Sequence, residues 1–184
     1  MDYHMISGYG ILTLVIFRVI WGLIGSTHSR FRSFVNLSEL IPHTRRLLKR
    51  DQAKIAGHNP LGALSIIAML LVLGTQATTG LFANDDIFLE GPLVHLVDDA
   101  TSDRLTTVHH FCAKALYVLI GLHLAAIIFH EIYKRERLVL PMISGYKKGL
   151  PASVDKPSFR REYVTASGLL ATCAGFVYWL VKYV

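Results

Sequence analysis

Two histidines in one apolar stretch are the side chains of this sequence whose type and spacing best suit metal binding. His109 and His123 are fourteen residues apart. On an α-helix this spacing is a rise of about 21 Å and nearly four whole turns, so both imidazoles leave the same face at two depths. One metal ion cannot bridge that distance, whereas two haem irons stacked across a membrane could each bind one of the rings. Ionisable residues inside a membrane span are candidates for function.

Four apolar stretches are long enough to carry such side chains across a bilayer. The chain is 52% hydrophobic and only 17% charged, as expected for a membrane protein. The stretches cover roughly 4–25, 61–83, 108–129 and 163–181, each able to span ~30 Å of hydrocarbon. We therefore predict an all-α integral membrane bundle of four transmembrane helices. The first stretch lacks the basic start and small-residue cleavage pattern of a signal peptide, so we expect it to be retained.

The charges of the connections predict the orientation. The connection between the second and third stretches is acidic, and those after the first and third are basic. The acidic residues are Asp85, Asp86, Glu90, Asp98, Asp99 and Asp103; the basic ones are Arg30, Arg32, Arg45, Arg46, Lys49, Arg50 and Lys54, then Lys134, Arg135, Arg137, Lys147, Lys148, Lys156, Arg160 and Arg161. The positive-inside rule places the basic connections in the cytoplasm and both termini outside. We do not expect these basic residues to bind nucleic acid.

This orientation gives each histidine a depth. His4 begins the first stretch and His109 begins the third, both at the outer side, so the two rings are predicted to be axial ligands of one haem. His123 lies about four turns further in. Arg18, fourteen residues after His4, shares the face of His4 and the depth of His123. We expect its guanidinium either to bind a haem propionate or to reach the inner lipid phosphates.

Several residues near these ligands are secondary candidates. Gly8 and Gly22 lie on the His4 face, where small residues allow close approach of a porphyrin or of another helix. His110 points about 100° away from His109 and shares a face with Lys114 and Tyr117. It is therefore expected to contact a propionate or to support a ligand, not to bind the iron.

The other histidines and the cysteines restrict the chemistry further. The histidines outside the apolar stretches, predicted to be solvated, are His28, His43, His58 and His95, and His130 is expected at the inner boundary. Only Cys112 and Cys173 are present, and neither forms the Cys-x-x-Cys-His motif of covalent haem attachment. Two cysteines also exclude four-cysteine iron–sulfur ligation. Any haem is thus predicted to be b-type, and we find no catalytic motif.

The sequence resembles the prokaryotic cytochrome b561 family, which includes the cytochrome b subunits of nickel–iron hydrogenases. The residues that carry the resemblance are Met1 to His4 with Gly8 and Tyr9, Phe17 and Arg18 with Trp21, Gly22 and Gly25, Arg30 and Phe31, Gly57 to Pro60 with Gly62 and Ala63, Val108 and His109, Gly121 to His123, and Met142 to Gly145. The resemblance covers about 1–150 and implies a domain there, with 151–184 an additional transmembrane helix. It implies two b haems that carry electrons between quinone and a periplasmic or membrane partner.

The resemblance also implies an earlier helix with a histidine near the cytoplasmic side. As written, the chain has a complete ligand pair for the outer haem only, and His123 has no partner. Either the protein binds one haem, or the start lies at an internal methionine, or the missing helix is on another polypeptide; we favour the internal methionine. With the missing helix supplied, the chain is expected to bind two haems.

We predict a haem b electron-transfer subunit of a respiratory chain in the bacterial inner membrane, and we favour an electron-carrier subunit of an oxidoreductase system over an independent enzyme. The expected partners are quinone or a dehydrogenase or hydrogenase, with a c-type cytochrome as a candidate at the acidic outer connection, and membrane lipid around the bundle. The alternatives are a histidine-lined metal-ion transporter, whose ligands must converge on one ion, and an inert membrane anchor.

Overall fold

Four long helices dominate the computed structural model, which describes residues 2–26, 29–34, 60–85, 87, 90–135, 138–140 and 159–184. They are α1 (Asp2–Ile24), α3 (Pro60–Gly80), α4 (Asp99–Ile128) and α5 (Phe159–Tyr183). The short helix α2 (Phe31–Phe34) follows α1, a 3₁₀ turn spans Val94–Leu96, and a π-helical turn spans Phe129–Tyr133. Within the described residues, all four long helices are long and apolar enough to cross a membrane. The predicted all-α membrane bundle is confirmed.

The contacts between the long helices do not follow their order in the chain. α5 packs on α1, α1 packs on α3, and α3 makes its most extensive contacts with α4. The helix α3 therefore packs against both α1 and α4. Apolar side chains of α1, α5 and the connection after α3 form a buried cluster of Leu12, Leu81, Leu93 and Val177.

The third span begins earlier than its apolar stretch suggests. α4 starts at Asp99, nine residues before Val108, because Asp98 caps it: the Asp98 carboxylate accepts a hydrogen bond from the backbone N–H of Thr101 at 2.7 Å. That hydrogen bond to the charged form lowers the pKa of Asp98. Hydropathy marks the part of the helix in hydrocarbon, whereas the cap marks where the helix begins. His109 consequently lies in the fourth turn of α4 and not at its first residue.

The connection between α3 and α4 is held by a network around one buried hydroxyl. Ser102 is 1% exposed. Its Oγ donates to the carbonyl of Phe82 at 2.7 Å and accepts from Nδ2 of Asn84 at 2.9 Å. The backbone N–H of Asn84 also donates to the hydroxyl of Thr106 at 3.1 Å. The start of α4 is thereby fixed against the end of α3, and this fixes the height of His109 relative to α3.

We expect Ser102→Ala to lower the free energy of unfolding by about 1–3 kcal/mol, because it removes the buried hydroxyl that joins Phe82 and Asn84 through two hydrogen bonds. Thermal unfolding in detergent, followed by circular dichroism, measures the change. The matched control is Thr107→Ala, since Thr107 is exposed and its hydroxyl donates only to the backbone of its own helix. An equal effect of the two substitutions would contradict the role assigned to Ser102.

Candidate haem-ligand site

The rings of His4 and His109 lie side by side between α1 and α4. Their centroids are 6.0 Å apart and their planes are inclined by 82°. Imidazole nitrogens bind transition metals at about 2 Å, so two rings on opposite sides of one iron have centroids about 6 Å apart. The angle between the planes is no obstacle, since each axial ring can rotate about its metal–nitrogen bond. The structure brings together the two histidines that the sequence assigned to one depth, at a separation that fits an iron between them.

The imidazole of His109 is held by the last turn of α3. Its Nδ1 lies 2.9 Å from the carbonyl oxygen of Gln76 and 3.4 Å from the hydroxyl of Thr79. Its Nε2 lies 3.0 Å from the side-chain nitrogen of Gln76. Thr79 is buried, and its own hydroxyl donates to the carbonyl of Thr75 at 2.8 Å. A hydrogen bond from the ring nitrogen that does not bind the metal is the usual way in which a protein orients a histidine ligand.

Gly80 gives the His109 ring the space that it occupies. A Cβ added at Gly80 would lie 2.9 Å from Cε1 of His109 and 3.2 Å from its Nδ1. Both distances are shorter than a normal contact, so any larger residue displaces the ring. The imidazole therefore packs directly on the backbone of α3.

The ring of His123 lies deeper along α4 and makes a different contact. Its Nδ1 is 3.3 Å from the hydroxyl of Ser65, near the start of α3. In the part of the chain that the structure describes, no histidine of another helix contacts this ring. The structure thus presents one facing histidine pair, at the level of His4 and His109.

The predicted secondary residues have different surroundings. Arg18 donates from Nη1 to the carbonyl of Ser29 at 3.2 Å, and its guanidinium lies 4.9 Å from the ring centroid of Phe31. These contacts direct it towards the turn that follows α1. Its contact with a propionate stays a prediction. A Cβ at Gly8 would meet nothing within 4 Å, whereas Gly22 is covered by the ring of Phe31.

The side chains of His110 and Lys114 are exposed on one face of α4. The His110 ring lies 6.2 Å from that of His109, and Tyr117 on the same face is 77% exposed. Lys114 is five residues from His109 and about 140° around the helix. The roles predicted for His110 and Lys114 stay predictions.

The remaining histidines lie away from this site. His95 is exposed and its Nε2 is 2.8 Å from the carbonyl oxygen of Val184, which brings the α3–α4 connection and the end of α5 together. His130 is buried in the π-helical turn, its ring 5.8 Å from that of Phe129. The other three, His28, His43 and His58, lie outside the described residues. Among the residues that the structure describes, no three His, Cys, Asp or Glu side chains are close enough together to hold one metal ion.

Sequence reasoning did not identify the contribution of α3. Ser65, Gln76 and Thr79 are polar residues in an uncharged apolar stretch, and helical geometry places all three on one face. The helical spacing of these polar residues was visible in the sequence, but the group that they contact was not. Polar residues on one face of a membrane helix indicate contact with another polar group, and here the group is a histidine of α4.

A bundle of membrane helices with a facing histidine pair is an arrangement expected of a membrane-bound b-type cytochrome. The chain belongs to the prokaryotic cytochrome b561 family, whose model matches residues 1–145. It is a multi-pass membrane protein, as the four long apolar helices also indicate.

Three similar proteins each carry the name probable Ni/Fe-hydrogenase B-type cytochrome subunit. The one from Azotobacter vinelandii is 26% identical over 78% of this chain and 66% of its own length. The relative from Bradyrhizobium diazoefficiens is 24% identical, over 79% of this chain and 65% of its own. The relative from Rhizobium leguminosarum is 28% identical, over 77% of this chain and 66% of its own length. The chain therefore spans slightly less than two thirds of the length of these relatives, and no solved structure matches it significantly.

Proposed function

We propose that the chain is a membrane electron carrier in which His4 and His109 hold one b-type haem near the outer surface. The 6.0 Å separation of their rings, on two helices that start at the same side, carries this proposal. Haem supplies one-electron Fe(III)/Fe(II) chemistry, and two axial histidines leave no position for oxygen or substrate. The residues of this chain would bind, orient and bury the cofactor.

The names of the similar proteins support a hydrogenase as the redox partner. In this assignment, electrons pass between a hydrogenase and the quinone pool of a bacterial inner membrane, and both ends of the chain face the periplasm. The connection between α3 and α4 carries exposed acidic side chains, among them Asp85, Glu90 and Asp98. They suit the steering of a basic partner such as a c-type cytochrome, an effect that salt weakens.

A metal-ion transporter is less well supported by the geometry. Its ligands must converge on one ion, whereas His109 and His123 are about 21 Å apart along α4. An inert membrane anchor would not require two histidine rings 6.0 Å apart between α1 and α4.

The proposal predicts a reducible low-spin b-type spectrum for the purified chain, with about one haem per polypeptide by pyridine haemochrome. His123→Ala should leave this ratio unchanged, because the His123 ring contacts Ser65 and no second histidine. A chain without a haem spectrum after reconstitution would exclude the electron-carrier function. Two six-coordinate haems in this chain, of which His123→Ala removes one, would show that a partner for His123 exists.

A further inference from the structure

A cavity of about 470 Å³ lies where the chain turns from the end of α1 into α2. Its volume is within the range of about 300–1,000 Å³ that is typical of ligand sites. The described residues that line it are Gly22, Leu23, Arg30, Phe31, Arg32 and Ser33, and no acidic side chain is among them. The cavity thus combines two cations and a hydroxyl with apolar side chains.

The turn that forms this cavity is held by a hydrogen bond and by ring packing. Nε of Arg30 donates to the carbonyl of Gly25 at 2.7 Å. The ring of Phe31 covers Gly22, where an added Cβ would overlap it. A guanidinium has five N–H groups, so the bond from Nε leaves the four on the Nη atoms for another acceptor. The cavity is therefore shaped by the turn itself, with a guanidinium held at its edge.

The cavity lies at the boundary of the hydrocarbon. The candidate span of α1 is Tyr3–Ile24, which rises about 33 Å, so the residues after Ile24 lie at the depth of lipid head groups. Leu23 lines the cavity and is 67% exposed, so it is accessible to an acyl chain. Arg30 and Arg32, which follow the span, are exposed as well. A ligand that fits both parts carries a negative charge next to an apolar chain.

We propose that this cavity binds the head group of an anionic phospholipid, with Arg30 and Arg32 on its phosphodiester and Leu23 and Phe31 against the start of its acyl chains. Guanidinium groups bind phosphate oxygens through paired hydrogen bonds, and basic residues next to a membrane helix attract anionic lipids. Two arginines this close together repel each other, and an anion shared between them offsets the repulsion. The site lies at the opposite end of α1 from the facing histidine pair, so it does not depend on the proposed haem.

Quenching of tryptophan fluorescence by brominated lipid tests this proposal. The chain has two tryptophans, Trp21 beside the cavity-lining Gly22 and Trp179 near the far end of α5. Trp179→Phe leaves Trp21 as the only reporter, and Trp21→Phe leaves Trp179 as a reporter away from the cavity. Each protein is reconstituted in phosphatidylcholine vesicles that contain an equal fraction of brominated phosphatidylglycerol or brominated phosphatidylcholine. We expect Trp21, and not Trp179, to be quenched more strongly by the phosphatidylglycerol.

The arginine variants, made in the Trp179→Phe background, test the assigned contacts. Arg30→Gln and Arg32→Gln should each lower the relative affinity for phosphatidylglycerol about 5-fold, the usual contribution of one basic residue at an anionic membrane surface. The matched control is Arg161→Gln. Arg161 is exposed and begins the fourth span, at the end of the bundle where the first span ends, and it does not line the cavity. Its substitution should leave the lipid preference unchanged.

Three results would overturn the proposal. The first is equal quenching of Trp21 by the two lipids. The second is an equal loss of preference in Arg161→Gln and Arg32→Gln, which would show attraction to the general surface charge. The third is an unchanged lipid preference with loss of haem in the arginine variants, which would assign these arginines to a propionate. Arg30 also holds Gly25, so if Arg30→Gln alters the helix content by circular dichroism, Arg32→Gln decides alone.

Discussion

His109→Ala should abolish low-spin b-type haem in this protein, and His4→Ala should do the same. Each substitution removes one of the two rings whose centroids lie 6.0 Å apart, and a haem held by packing and two axial bonds then loses one bond. The reduced-minus-oxidised difference spectrum of the purified protein measures the loss, and pyridine haemochrome counts the cofactor that remains.

His110→Ala is the matched control for these two substitutions. His110 is adjacent to His109 in the chain, yet its side chain is exposed and lies on another face of α4. It should keep the spectrum, with at most a shifted potential. If His110→Ala lost the spectrum and His109→Ala kept it, the facing pair seen in the structure would not be the ligand pair.

A folding defect would also remove the spectrum, so a rescue experiment is needed. His109→Gly leaves a space the size of an imidazole beside His4, and free imidazole added to this variant should restore the six-coordinate spectrum. Circular dichroism should show the same helix content before and after the addition. The His110→Gly variant should keep its spectrum without added imidazole, because the exposed His110 ring is not one of the facing pair.

Gly80→Ala should weaken haem binding by about 10- to 100-fold, the usual cost of disturbing a residue that orients a metal ligand. The added methyl would lie 2.9 Å from Cε1 of His109, so the ring must move. That movement breaks the 2.9 Å hydrogen bond between Nδ1 and the carbonyl of Gln76. Titration of haem into the haem-free protein measures the affinity.

Gly74→Ala on the same helix is the control. A Cβ at Gly74 would lie 3.6 Å from a side-chain carbon of Val15, which is an ordinary contact. In a helix interior, alanine is also more favourable than glycine by about 1 kcal/mol. Gly74→Ala should therefore leave haem affinity unchanged and leave stability equal or higher. Equal haem affinity for Gly80→Ala and the unaltered protein would mean that the ring has another position from which to bind iron.

The sequence by itself was sufficient for the number and type of the long helices. A bilayer requires about twenty consecutive apolar residues for each span, and this requirement is met four times. The sequence also predicts one depth for His4 and His109, from the opposite charges of the connections and the constant rise of a helix. These are local or periodic properties, so they can be read along the chain without knowing which helices are neighbours.

Only the tertiary structure decided what surrounds the two rings. The sequence placed His4 and His109 at one depth, but packing between helices in lipid depends on the fit of particular side chains and not on hydropathy. It is α3, uncharged and without a predicted ligand, that holds His109 through Gln76 and Thr79 and gives it space at Gly80. The start of α4 at Asp99 was likewise set by the Asp98 cap, nine residues before the apolar stretch that hydropathy marks. Contacts between distant residues arise only when the helices pack, and no single stretch of sequence contains them.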